Sequence, residues 1–167
     1  MPISRDHSKN LSLAARWVFP VEGPPLERGI VVIAGDRIVA VEPRGTRTTD
    51  LDLGNVAILP GFVNAHTHLD LSGARGKCPP TPKFADWLHA VIHYRRSQTA
   101  GQVEADIRAG LAMSLSSGTT LLGDISARGT SWQALIAAPM WSVVFYELVG
   151  LPAAKADEAF EGATVWL

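Results

Sequence analysis

Leu59 to Asp70 reads LPGFVNAHTHLD, and the fold turns on how this stretch is understood. At its centre stand His66, Thr67 and His68. Side chains of an extended strand alternate between faces, so the one-residue spacing turns both imidazoles the same way. Neutral imidazole suits zinc or iron, and a catalytic metal site takes about three or four protein ligands with a position left open. Two histidines are half of such a set. Leu59-Pro60-Gly61 punctuates the chain, and Phe62-Val63-Asn64-Ala65 reads as a short strand buried on both faces. The histidines then sit at its carboxyl end, where parallel α/β barrels build their sites. From spacing alone, two exposed loop histidines are an equal reading.

Outward from this stretch the chain changes character. On the amino-terminal side, Leu11 to Phe19 reads as a first strand broken by Pro20, Pro24 and Pro25. Ile30 to Ile33 and Arg37 to Val41 flank Ala34-Gly35-Asp36, a hairpin signal because glycine tolerates the positive φ of the turn. Asp50 to Gly54 and Val56 to Leu59 are further short strands. On the carboxyl side, Leu71 to Pro82 reads as a loop ending at a helix start, with Thr81 as cap and Pro82 in the first turn. Phe84, Trp87, Leu88, Val91 and Ile92 then fall on one helical face, predicting a buried stripe. A second helix spans about Gln102 to Ser117, with Val103, Ile107, Leu111 and Leu115 on one side and Gly118 as its stop. Thr119 to Ile125 reads as a strand, Ser131 to Ala138 as a short helix, Trp141 to Val149 as a strand, and Ala153 onward as a helix. Short strands giving way to strand–helix alternation place a domain boundary at Pro60, with residues 1–59 before it and 60–167 after.

PGFVNAHTHL, Pro60 to Leu69, resembles the first-strand signature of the amidohydrolase superfamily, in its aminohydrolase and chlorohydrolase branch. Asn64, where dihydroorotase-like relatives more often carry an acid, tilts the resemblance toward the deaminases. Gly118 to Ser126 (GTTLLGDIS) and Phe145 to Gly150 (FYELVG) are similar to aminofutalosine-deaminase-like members. The resemblance implies an α/β fold: the first three strands of a (β/α)8 barrel, preceded by part of a small β-sandwich. It also implies one divalent metal ion, zinc before iron, held in part by His66 and His68. The implied chemistry is hydrolytic deamination of an amino-substituted heterocycle or nucleoside. Relatives draw the remaining ligands and the proton shuttle from later strands, which would lie beyond Leu167, so no catalytic residue is expected within the chain as given. A complete barrel takes about 250 residues against the 167 here. The expectation is therefore an amino-terminal fragment. The alternative is a non-catalytic remnant or interaction module that pairs its open barrel edge with another chain, or with itself as a homo-oligomer.

Four further residues are candidate substrate contacts. Trp87 lies in FADWL, Phe84 to Leu88, which looks like the segment where related purine-type deaminases present a tryptophan; its other reading is a core aromatic. Arg75-Gly76 matches a pair common after the histidines in this branch, and either meets substrate or braces the loop. Asp124 and Glu147 fall near the carboxyl ends of the second and third proposed strands, where carboxylates bond a ribose or orient a ligating histidine. For Asp124 a helix or loop cap is the competing reading. His89 and His93 share a helical face, but Ala90 stands where a zincin has glutamate and both fall beside the apolar stripe, so they read as solvated or locally bonded. His7 reads as a side chain of a polar terminus.

Composition bounds the rest. A net charge of −1 with mixed signs offers no basic field for nucleic acid. No apolar run approaches the roughly 20 residues that span a bilayer, and Met1 to Asn10 is too polar for a signal peptide. The single cysteine, Cys78, excludes an internal disulfide and agrees with a reducing cytoplasm.

Overall fold

The computed structural model describes residues 10–148 and 152–167, and the chain divides into two units between Pro60 and Gly61. His7, Val149 and Gly150 lie outside the described residues.

The first unit is a five-stranded sheet in the order β3-β2-β1-β4, with β5 also on β1. Strands β1 (Leu11–Val18), β2 (Leu26–Ala34) and β3 (Arg37–Pro43) pair antiparallel. The short β4 (Leu51–Asp52) and β5 (Ala57–Ile58) join β1 in parallel. Gly35, at φ 61°, makes the predicted β2–β3 turn. β2 begins at Leu26, earlier than its apolar run suggests, because the polar Glu27 and Gly29 still pair with Trp17 and Ala15. Ala14, Ile30 and Val32 form one buried cluster, and Ala15, Val18 and Val31 another.

The second unit is a three-stranded parallel sheet in the order β6-β7-β8. Its strands are β6 (Phe62–Thr67), β7 (Thr119–Ala127) and β8 (Trp141–Glu147). Helices α1 (Phe84–Ser97) and α2 (Ala100–Ser116) connect β6 to β7, α3 (Trp132–Ile136) precedes β8, and α4 (Ala153–Trp166) follows it. The core is Leu69, Ile107, Leu122 and Leu135, with Val103, Leu111 and Val144 against it. The predicted face of α2 is therefore the packed one. Its start carries a signal the sequence reading passed over, a reciprocal capping box between Thr99 and Gln102. Gly118 ends it at φ 84°.

Three expectations need correction. The segment after the histidines is not all loop, since Leu69–Ala74 forms a 3-10 turn seated on α2. Gly110 of α2 makes room for it: a Cβ there would stand 2.1 Å from Ser72 Oγ and 3.0 Å from Leu69 Cδ2. Helix α1 begins at Phe84 with no side-chain cap, and the Thr81 hydroxyl instead donates to the Lys83 carbonyl. Nor is its apolar stripe buried: Phe84 is 71 % and Leu88 40 % exposed, while Trp87, Val91 and Ile92 are half-buried. Tyr94 is the buried residue of this helix. Likewise β6 is not covered on both faces; Phe62 and Val63 are exposed because β6 is an edge strand here. No helix among the described residues is long and apolar enough to cross a membrane.

Candidate active site

The carboxyl end of β6 carries His66 and His68, whose ring centroids lie 5.3 Å apart at an interplanar angle of 69°. A local irregularity of the strand falls in the same segment. Between Asn64 and Thr67 the register with β7 slips, so that more residues of β6 than of β7 fill the interval. Such a bulge bends a strand and re-aims its side chains. Two features hold it. The Asn64 side-chain oxygen accepts from the His66 backbone N–H at 3.3 Å. Gly123 of β7 admits the displaced backbone, since a Cβ there would stand 2.5 Å from the Ala65 carbonyl oxygen. Gly123→Ala is therefore expected to cost about 2 kcal/mol by forcing backbone against side chain. Urea unfolding measures it, and an unchanged midpoint would mean that the bulge is not constrained there.

Beyond the histidines the chain turns at Leu69, whose N–H donates to Asp124 Oδ1 at 2.9 Å. The other Asp124 oxygen accepts from Ser131 Oγ, which also bonds Ser126. Asp124, Ser126 and Ser131 are all fully buried. A substrate contact by Asp124 is thus not what its position supports, because the carboxylate has no access and both oxygens are engaged. It pins the segment after the histidines to β7 and to the start of α3, as the capping alternative has it.

Asp70, also buried, has Oδ2 3.2 Å from Arg95 Nη2 of α1. Arg95 Nη1 donates to Glu147 Oε2 at 2.8 Å, at the end of β8. One guanidinium thus joins the segment after β6 to the end of β8. Burial pushes the Asp70 carboxyl above its usual range, against the pull of Arg95 and His68, with Asp124 and Glu147 adding to the rise. Among the described residues, the buried side-chain atoms without a hydrogen-bond partner are His68 Nδ1, Asp70 Oδ1 and Arg95 Nε, from residues linked in this one network. Buried polar atoms are normally satisfied, so these three atoms leave donor and acceptor capacity in one place. Next to Arg95, Tyr94 donates to Asp106 Oδ2 at 2.6 Å. Burial first, then that bond and the Asp106 charge, push its phenol up to about 12.

The predicted residues are unevenly gathered. His66, His68 and Glu147 stand at the carboxyl ends of parallel strands. Trp87 is half-buried on α1, its ring 5.5 Å from that of Phe84. Arg75 is exposed at the end of the 3-10 turn. His89 and His93 are both exposed, as the solvated reading has it. Asp70 and Arg95 were not singled out from the sequence, although Asp70 closes the stretch that contains the histidines. Two imidazoles side by side, one with a buried unmatched nitrogen, fit two positions of a metal's coordination sphere. Among the described residues no group of three or more His, Cys, Asp or Glu could complete it.

Residues 57–163 match the model of the amidohydrolase family. A 5-methylthioadenosine/S-adenosylhomocysteine deaminase of Nitratidesulfovibrio vulgaris is 36 % identical over 107 residues, covering 60 % of this chain and 24 % of that protein. An aminodeoxyfutalosine deaminase of Nitratiruptor is 35 % identical over 103 residues, covering 62 % of this chain and 25 % of its own length. The chain thus spans about a quarter of these curated relatives. Among solved structures, Helicobacter pylori aminofutalosine deaminase in complex with methylthio-coformycin aligns at TM-score 0.74 and 23 % identity, over 93 % of this chain and 40 % of that one. An adenosine deaminase of Xanthomonas campestris with bound zinc aligns at 0.73 and 22 %, over 93 % and 38 %. At these identities the structural likeness speaks for the fold.

Proposed function

Starting from the chain's membership of the amidohydrolase family, we propose that it carries the histidine arm of a metal-dependent deaminase acting on an amino-substituted heterocycle or nucleoside. The observation that carries this reading is the His66–His68 pair, set by a bulge at the carboxyl end of a parallel strand. The curated relatives include a 5-methylthioadenosine/S-adenosylhomocysteine deaminase and an aminodeoxyfutalosine deaminase, which supports the substrate class. In this reading β6, β7 and β8 are the opening strands of a (β/α)8 barrel, and the first unit belongs to a flanking β-sandwich.

His66 and His68 would hold one divalent cation, zinc before iron, through ring nitrogens. When bound, such a cation supplies Lewis acidity that makes hydroxide available as a nucleophile near neutral pH. The chain's own residues bind and orient. Trp87 offers a flat face to an aromatic base. Glu147 keeps an oxygen not engaged by Arg95, able to accept from a substrate hydroxyl. Arg75, exposed beside the turn, either meets substrate or braces the segment. Asp124 holds the backbone that follows the histidines.

The test is calorimetric titration of the zinc-loaded chain with 5′-methylthioadenosine, alongside an ammonia assay. Binding that needs zinc and is lost in Trp87→Ala is the expected result. Absence of any zinc-dependent nucleoside binding would overturn the proposal.

A second reading is favoured by the outer strand of the sheet. Trp141, Val143 and Phe145 alternate along one face of β8 and are 81 %, 50 % and 49 % exposed. An apolar edge strand invites pairing, so the chain would act as an association module. A stable metal-free oligomer in light scattering supports it, and a metal-binding monomer excludes it.

A further inference from the structure

We infer that Arg95 is a positioning residue of this site: its two guanidinium arms fix the roll of α1, and with it the placement of Trp87, relative to both the histidine strand and β8. The inference rests on the proposed function only in giving Trp87 a substrate to meet.

Helix α1 lacks the packing that normally orients a helix. Phe84 and Leu88, toward its amino-terminal end, are exposed, Trp87, Val91 and Ile92 are only half-buried, and its one buried side chain is Tyr94, near the carboxyl end. Tyr94 makes a single directional contact with α2, through its hydroxyl to Asp106, with Lys77 Nζ 5.1 Å above its ring. A half-buried stripe and one hydrogen bond near one end constrain the roll of a helix of this length only weakly. Trp87 lies seven residues before Tyr94, close to the same line of the helix and about 10 Å along its axis. A small rotation about the Tyr94 end therefore displaces the indole by a much larger distance.

Arg95 removes that freedom. Its Nη2 meets Asp70, in the turn directly after the histidines, and its Nη1 meets Glu147, at the end of β8. These anchors belong to separate strand ends, so the pair defines an orientation where either alone would define only a distance. The planar guanidinium fork makes the constraint stiff, which a lysine ammonium cannot reproduce with the same geometry. Asp70 is 5 % exposed, and the Arg95 side chain is 28 % exposed, so the Asp70 arm is sheltered from solvent screening. No other arginine among the described residues joins two carboxylates from different elements.

The experiment uses the full chain labelled with 5-fluorotryptophan. Its five tryptophans give separate fluorine resonances, with the Trp87 line assigned by Trp87→Phe. Arg95→Gln is expected to shift or broaden the Trp87 line and to speed amide exchange over residues 84–93 about tenfold, while the Trp17 line stays in place. Arg95→Lys should restore part of the effect, and Glu147→Gln, which weakens one arm, should give a smaller change of the same kind. If Arg95→Gln does not fold, Glu147→Gln decides. An unmoved Trp87 line with unchanged exchange in the folded variants overturns the inference. In the nucleoside titration Arg95→Gln should weaken binding several-fold at unchanged zinc affinity, and unweakened binding with a displaced Trp87 would equally overturn the positioning role. The fluorine and exchange measurements need neither metal nor nucleoside, so a failure of the deaminase reading would be seen separately.

Discussion

Replacing Asp124 with alanine is expected to lower the unfolding midpoint of the second unit by roughly 15–20 °C, a loss of about 4 kcal/mol. The estimate follows from what the side chain leaves behind. The Leu69 N–H and the Ser131 hydroxyl both donate to Asp124 in a place that water does not reach. Each buried donor left unmatched costs about 1–3 kcal/mol. Asp124→Asn, which keeps the shape but turns an acceptor into a donor toward one of those groups, should fall between wild type and alanine. The Leu69 amide gives a local reading: its hydrogen exchange should accelerate in both variants more than that of the β1–β2 pair, which belongs to the other unit. An unchanged midpoint in Asp124→Ala would show that the segment after the histidines is held by other means, chiefly by Leu69 in the core.

The second large effect concerns metal. The double variant His66→Ala/His68→Ala is expected to bind zinc on the order of 100-fold more weakly than the unmodified chain, measured by competition with a chromophoric chelator. The two ring centroids lie 5.3 Å apart, so removing either alone should cost much of the effect. Weak binding that is the same in both proteins would mean that this pair does not hold the metal, and the deaminase reading would lose its carrying observation. Tight binding at one zinc per chain, lost in the variant, would mean that further ligands join the pair, from the chain itself or from a second copy.

What could be read from the sequence was local. Gly35 and Gly118 mark the turn and the helix stop because tolerance of a positive φ is a property of glycine itself. The one-residue spacing of His66 and His68 brings the rings together, although the bulge that helps to do so was not foreseen; it depends on Gly123, a residue far along the chain. The strand–helix alternation after Pro60 and the parallel sheet it implies are present. The relations that remained hidden are those between distant positions. Arg95 and Glu147 are 52 residues apart, and Leu69 and Asp124 are 55 apart, so no window of periodicity contains either pair. The exposure of Phe84 and Leu88 was hidden for a related reason: an apolar stripe states what a helix can bury, not whether a neighbour covers it.

The parallel sheet also sets a timetable for assembly. In the first unit, β2 and β3 meet across a turn of two residues, so their pairing needs almost no loop closure. β6 and β7 can meet only after both intervening helices have been brought round, and the entropy of closing so long an interval must be met before any contact across it repays the cost. The bulge at the histidines exists only in that pairing, because it is defined by the register against β7. The register that sets the imidazole pair is therefore complete only once β7 has docked on β6. Until β7 docks, the two rings belong to a flexible segment and have no fixed separation.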